Sequence, residues 1–266
     1  MVHKFIRAVG RPVTQMAERY LKWRGHPKFA NPETTYDEGA LFTANNHEFV
    51  DDPAFRRAID VSRQSPFASR GYHSSRWKVH TVLWAAQHAL NLQGEGADIV
   101  QLGVFEGSEA AAIADYVALE KQPIQMILVD TFTGVPAEQW TADELEAKAD
   151  QAQWIYKEAG DIYQSVRNRF SKYKNVAVVQ GRVPEVLSSL NTSRIGLLLI
   201  DLNCAAPEQA AMEYLWDRIV PGGMIISDDY GNIGYHAQKV VMDDFAKQKG
   251  VSVLSHPTGH GIILKP

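Results

Sequence analysis

Two adjacent carboxylates, Asp228 and Asp229, end the apolar run in MIISDDYG at residues 224–231, and a second run, IGLLLID, ends the same way at Asp201. Charge is costly inside a sheet, so acids at strand tips mark an edge where chemistry can be done. If the two runs are neighbouring strands, the three acids converge on one crevice, where open α/β sheets bind ligands. Three oxygen donors suit a hard cation such as Mg²⁺. Without a cation, clustered carboxylates repel and raise one another's pKa. The competing reading makes Asp228 and Asp229 helix caps and Asp201 a structural hydrogen-bond acceptor. A cap uses one acid and leaves its neighbour unexplained; in a mixed arrangement one of the pair coordinates the metal while the other orients Lys239 or a backbone amide.

A second constellation lies upstream. IVQLGVFEGSEAA, residues 99–111, sets Gly103 and Gly107 between a strand and a helix, where missing side chains let a ligand approach the backbone and the helix N-terminus. The next strand, IQMILVD, ends at Asp130, 27 positions after Gly103. Nucleotide-binding α/β folds place an acid there to accept from both ribose hydroxyls. Alone, Asp130 could equally cap the following turn; paired with the glycine loop, it favours the ribose. The spacing G-x-x-x-G departs from the G-x-G-x-x-G of NAD sites, and the chain has no P-loop, which makes S-adenosylmethionine the leading cofactor. Its expected contacts are Gln101, Gly103, Val104, Phe105, Gly107, Ser108, Asp130, Thr131 and Phe132, with Gly181, Arg182 and Val183 of QGRVPEVL beside the adenine.

Short apolar runs alternating with helical segments predict an α/β fold, a doubly wound, mostly parallel seven-stranded sheet. Strands are expected at 99–103, 124–130, 176–180, 195–201, 224–227, 251–255 and 261–265, with helices at 108–120, 143–173, 207–220 and 234–249. The last two strands are joined by HPTGH, too short for a crossover helix, and should pair antiparallel. Residues 1–92 read as an N-terminal helical extension or lid packed on the core, and 93–266 as the cofactor-binding domain. Within 1–30, seven Lys and Arg residues against the single acid Glu18 accompany helically spaced apolar residues. Such a basic amphipathic helix fits packing on its own domain or across a homo-oligomer interface better than docking on a membrane.

The chain has 266 residues, 45% of them apolar, enough to bury a full core. A net charge of −4 gives no electrostatic footprint for nucleic acid. No run reaches the roughly 18 apolar residues that span a bilayer, and none resembles a signal peptide. The single cysteine, Cys204, excludes an intramolecular disulfide framework and a Cys-rich zinc site, and reads as a small buried thiol. Together these predict a cytoplasmic protein.

Taken in order, WKVHTVLWAA, VQLGVFEGS, VDTFTGVP, VQGRVPEVL, LIDLNCAAPE, EYLWDRIVPGGMIISDDYG and PTGHGIILK resemble the macrocin O-methyltransferase family, from about residue 50 to the C-terminus. These are class I, S-adenosylmethionine-dependent sugar O-methyltransferases. The resemblance implies Mg²⁺ held by Asp201, Asp228 and Asp229 together with two sugar hydroxyls. It also implies Asp201 as the base and a glycoside or glycan as acceptor. Two departures stand out. Gln101 occupies a place where many methyltransferases carry an acid, so a charged contact to the methionine end becomes neutral. The antibiotic enzymes resemble D-G-D-x-Y after the fourth strand, whereas this chain reads Asp201, Leu202, Asn203, Cys204.

His80, Tyr230 and His236 are candidate acceptor contacts, although His80 and His88 also fit helix packing, and His256 and His260 fit a turn. Trp140, Trp154, Tyr156 and Tyr163 are either a lid or helical core. Two other functions stay open: a non-catalytic binding or scaffold protein keeping the fold, and a metal-dependent hydrolase built on the acids alone. The hydrolase leaves the glycine loop and Asp130 without a purpose.

Overall fold

The computed structural model describes residues 34–39, 41–71, 74–92, 96–146 and 154–266, and the chain divides into two compact units, Met1–His47 and Glu48–Pro266. In the first, β1 (Tyr36–Glu38) and β2 (Leu41–Thr43) form an antiparallel hairpin. The basic helix expected over residues 1–30, with its proposed oligomer contact, lies outside the described residues.

The second unit is built on a sheet of β3 (Asp98–Leu102), β4 (Met126–Asp130), β5 (Val176–Gln180), β6 (Ile195–Ile200), β7 (Ile219–Ser227), β8 (Leu254–Ser255) and β9 (Gly261–Leu264). The seven strands run in the order β5-β4-β3-β6-β7-β9-β8. The first five are mutually parallel, and β9 pairs antiparallel with both β7 and β8, as the short HPTGH connection requires. The described helices are α1 (Pro53–Ser62), α2 (Arg76–Leu90), α3 (Ser108–Tyr116), α4 (Ala142–Glu146), α5 (Trp154–Glu158), α6 (Ile162–Phe170), α7 (Ala205–Leu215) and α8 (His236–Lys249).

Side chains alternate across each strand, which sorts them into two cores. Ile99, Met126, Leu128, Leu197 and Leu199 meet α1, α2, α3 and α6 on one face; Val100, Ile127, Val129, Leu198 and Ile200 meet α7 and α8 on the other. Burial on both faces turns each strand into a continuous apolar run, so the acids that end β4, β6 and β7 stand out in the sequence. Side-chain caps set where the first two helices begin. Asp52 accepts from Phe55 N at 2.8 Å to start α1, and Ser75 accepts from Lys78 N to start α2. Both helices belong with the sheet in the second unit.

Three elements differ from their expected form. The helix expected over 207–220 ends at Leu215, and the strand expected from 224 starts at Ile219, because PGG at 221–223 is a bulge within β7: Ile195 pairs with Ile219 and Leu197 already with Met224, while Gly222 N and Gly223 O bond Lys265. The expected helix over 143–173 is interrupted: Gly160 takes φ +69° and Asp161 caps a new helix, α6, by accepting from Gln164 N. β8 is two residues long because Val251 N bonds Ala246 O at the end of α8 and is lost to the sheet.

β3 sends the chain to β4 on one side, and β6 lies on its other side, so the loops after β3 and β6 part at a topological switch point. Gly103 sits there at φ +84°, and a Cβ built on it would lie 1.8 Å from the carbonyl oxygen of Asp201. No side chain fits without moving the tip of β6. Gly103→Ala should therefore cost about 2 kcal/mol or more, read as a fall in the chemical-denaturation midpoint, and a variant as stable as the parent would contradict this close approach.

Candidate active site

A cavity of about 360 Å³ opens at the carboxyl ends of β3, β4, β6 and β7. Of the residues expected at the cofactor, Gln101, Gly103, Val104, Phe105, Ser108, Asp130, Thr131, Gly181 and Val183 line it, and Asp201, Asp228 and Asp229 line it too. The two constellations thus share one crevice. Gly107, Phe132, Arg182, His80, Tyr230 and His236 are not on its wall.

Asp130 organises the glycine loop. Its Oδ2 accepts from Val104 N (2.6 Å) and Phe105 N (2.8 Å), and its Oδ1 accepts from Phe132 N (2.6 Å). The turn-capping role read as an alternative is therefore present, and it presents the loop backbone to the cavity. Gly107 serves packing: a Cβ there would meet Phe170 Cε2 at 2.8 Å. Phe132 is buried against Tyr163, and Arg182 points outward to Glu185, with Nε–Oε1 at 3.0 Å.

The cover over this loop comes from residues 62–68 and 74–79. Ser62, Ser65, Phe67, Ala68, Ser74 and Val79 line the cavity. Ser65 Oγ meets Ser108 Oγ at 2.8 Å, and Phe67 N donates to Glu106 Oε2 at 3.0 Å. From the β4–β5 crossover, Gln139, Ile155 and Tyr156 also reach the cavity. Of the four aromatics considered for a lid, Tyr156 lines the wall and packs on Phe105, with ring centroids 5.0 Å apart, while Trp154 lies 6.1 Å from Phe67.

The three strand-tip acids have different surroundings. Asp228 is held from two sides: Lys78 Nζ donates to Oδ2 at 2.7 Å and His260 Nε2 donates to Oδ1 at 3.2 Å. Burial would raise its pKa, but these two partners hold it well below the usual carboxylate range. Asp229 accepts from Asn232 Nδ2 at 3.0 Å, and its Oδ2 is buried with no hydrogen-bond partner. Burial and the charge of Asp228 push its pKa up to about 7. Asp201 accepts from Asn203 Nδ2 at 2.9 Å, and burial followed by the fields of Asp228 and Asp229 drives its pKa well up.

Lys78 answers these charges. Burial opposes its ammonium, but Asp228, Asp201 and Asp229 outweigh burial and raise its pKa. It gave no direct site signal in sequence because its partner Asp228 lies 150 positions away. The available signal was its place in the first turn after Ser75. Lys239, the lysine considered for this role, instead pairs with Asp243 and lies over the Tyr230 ring. His260, read as a turn residue, is a fully buried donor to Asp228.

The remaining candidates are placed elsewhere. His80 stacks on Phe49 with centroids 4.0 Å apart and touches Phe55 and Trp77, and burial lowers its pKa, as for a packing histidine. Tyr230 OH donates to Asp243 at 2.8 Å, and His236 is exposed at the start of α8. Cys204 is fully buried, its Sγ 2.9 Å from Gln139 O, and burial followed by Glu144 pushes its pKa to about 12, consistent with an inert thiol.

The model of the macrocin O-methyltransferase (TylF) family matches residues 78–256, more than half of the chain. The chain belongs to the macrocin O-methyltransferase family. It is accordingly an S-adenosylmethionine-dependent O-methyltransferase. The match begins at Lys78 and includes every strand of the sheet up to β8. No curated protein matches by sequence. Among solved structures, the O-methyltransferase NovP is similar, with a TM-score of 0.58 at 16% identity over 71% of this chain and 79% of that one. CalS11, a calicheamicin methyltransferase, gives 0.51 at 16% identity over 87% and 98%. At that identity the likeness concerns the fold.

The methyltransferase's cavity fits a nucleoside-bearing cofactor on its glycine-loop side. It has loop amides ordered by Asp130, close backbone approach at Gly103, and apolar walls at Val104, Phe105 and Val183. The acids do not fit a divalent ion in the arrangement described. Asp228 is committed to Lys78 and His260, and among the described residues no three His, Cys, Asp or Glu are grouped to hold a metal. Instead, the acids meet the Lys78 ammonium.

The methyltransferase without ligands should show both effects in its stability. The Lys78–Asp228 pair is only 15% and 23% exposed, so Lys78→Met should cost about 3 kcal/mol by stranding a charge, and adding Asp228→Asn should recover most of it. Equal stability of parent and Lys78→Met in urea would contradict the pairing. Asp229, raised above an unfolded value of about 4, contributes stability that is full below that value and is lost as pH rises toward 7. The melting temperature should fall between about pH 5 and 7.5, and Asp229→Asn should flatten that slope; identical slopes would refute the assignment.

Proposed function

We propose that the enzyme methylates a hydroxyl of a sugar, in a glycoside or glycan, with Asp201 as the general base. One observation carries the reading: Asp201 lines the same cavity as the glycine loop, and its own carbonyl is the group that Gly103 packs against. The base and the methyl donor's loop are therefore fixed to each other by backbone contact. Family membership supports a sugar acceptor, and CalS11 is described as a TDP-rhamnose 3′-O-methyltransferase.

The cofactor supplies a methyl group made electrophilic by a sulfonium. The chain's part is to orient the acceptor hydroxyl and hold its proton. Asp201 is suited to this, because burial and neighbouring charges raise its proton affinity. The hydroxyl proton passes to Asp201 as the oxygen forms its bond to the methyl carbon. Held at the loop ordered by Asp130, the cofactor would donate its methyl to that oxygen and leave as S-adenosylhomocysteine, so the product would be a methyl ether. Lys78 lies within the field of Asp201 and stabilises negative charge developing on the acceptor oxygen. Ser62, Ser65, Phe67, Ala68, Ser74 and Val79 act as the cover that excludes water.

A requirement for Mg²⁺ rests on the family resemblance, and binding it at Asp201, Asp228 and Asp229 requires Asp228 to give up Lys78. Turnover of nucleotide-sugar and glycoside acceptors, measured after chelation and after adding Mg²⁺ back, tests that requirement. Asp201→Asn should lower kcat about 100-fold or more while S-adenosylhomocysteine binding and melting temperature are kept. Unchanged kcat would remove Asp201 from the mechanism. Methyl transfer to any such acceptor excludes a pure scaffold.

A further inference from the structure

The end of the cavity beside β3 carries a polar pair that the reaction does not use. Gln101, on β3, is 5% exposed, and its Oε1 is buried without a hydrogen-bond partner. Its Nε2 lies 3.4 Å from Glu109 Oε1, in the first turn of α3, and both residues line the cavity. With Glu109 ionised, this contact fixes the orientation of the amide, because a flipped Gln101 would set two acceptor oxygens against each other. The orphaned Gln101 oxygen therefore faces away from Glu109 and calls for a donor that no described residue supplies.

Glu109 has the same need. Its single side-chain hydrogen bond among the described residues is the long one from Gln101. Lys78, the cation whose field reaches it, has its ammonium on Asp228 at 2.7 Å. Burial, then the charge of Asp228, push the Glu109 carboxyl up to about 7, against the partial relief from Lys78. A helix N-terminus favours an acid in its first turn, which accounts for tolerance of Glu109 but not for an amide oxygen left open beside it. An orphaned amide oxygen and a carboxylate with one long hydrogen bond, side by side in a ligand cavity, match a primary ammonium, which offers three N–H donors and one positive charge.

We propose that Glu109 and Gln101 together bind the α-ammonium of the cofactor's methionine end, Glu109 supplying from α3 the negative charge that β3 lacks at Gln101. This rests on the cofactor reading above. The charge is carried by the helix start rather than by the strand, and Gln101 becomes the neutral acceptor that completes the site. Ser108, beside Glu109, also lines the cavity.

Calorimetry of the full chain with S-adenosylhomocysteine and with its desamino analogue, in which hydrogen replaces the α-amino group, tests the proposal. Glu109→Gln should weaken S-adenosylhomocysteine by about tenfold to a hundredfold and leave the desamino analogue within about twofold. The exchanged variant Gln101→Glu with Glu109→Gln should recover S-adenosylhomocysteine binding, which a role in folding alone would not produce. Equal losses for both ligands, or no loss for either, overturn the proposal and leave the cofactor reading standing. Failure of the parent chain to bind either ligand overturns both.

Discussion

The site depends on one electrostatic constraint, that several carboxylates share a small, poorly solvated edge of the sheet. Asp201, Asp228 and Asp229 cannot all be ionised there without opposite charge. Lys78 resolves the conflict unevenly. It fixes Asp228 as a carboxylate, with help from His260, and so leaves Asp229 and Asp201 with raised proton affinity. Three chemically identical side chains thereby diverge: Asp228 is a fixed charge, whereas Asp201 and Asp229 both gain proton affinity from burial and from the charges beside them. Glu208, fully buried behind Asp229 and within hydrogen-bond reach of Ser227, extends the same acid field into the core.

The fold supplies the geometry this requires. Parallel β6 and β7 end level with each other, so Asp201 and Asp228 emerge at adjacent tips, with Asp228 N bonded to Ile200 O at 2.9 Å. β3 ends one strand away, and Gly103 lets its loop touch the Asp201 carbonyl. Asp130 on β4 then ties down Val104 and Phe105. A rigid sheet edge, with its loops pinned by backbone contacts, is able to hold the strand-tip acids and a methyl donor in register. α2 adds the last element, because its Ser75 cap begins a helix whose first turn delivers Lys78 to the acids.

Much of this was legible in the sequence because the parallel strands are buried on both faces and end in charge. The sheet, its antiparallel edge and the convergence of glycine loop and acids all derive from that pattern. Pairing across long separations could not be read. Lys78 and Asp228 lie 150 positions apart, and His260 looked like part of a turn because only the register of β9 against β7 brings it to Asp228. Gly107 and Phe132 carried the right types at the right spacing, yet side-chain packing against Phe170 and Tyr163 turns them away from the cavity. Residues 221–223 fell between the expected helix and strand because Pro and Gly punctuate most chains, whereas the neighbouring strand holds them as a bulge.

If cofactor and acid cluster occupy one crevice in a fixed order, a crystal structure of the chain with S-adenosylhomocysteine bound must show that order. The ribose should lie at the loop held by Asp130, the amino-acid end between Gln101 and Glu109, and the sulfur facing Asp201. Density for the ligand away from the ends of β3 and β4, or with its sulfur turned from Asp201, would contradict it.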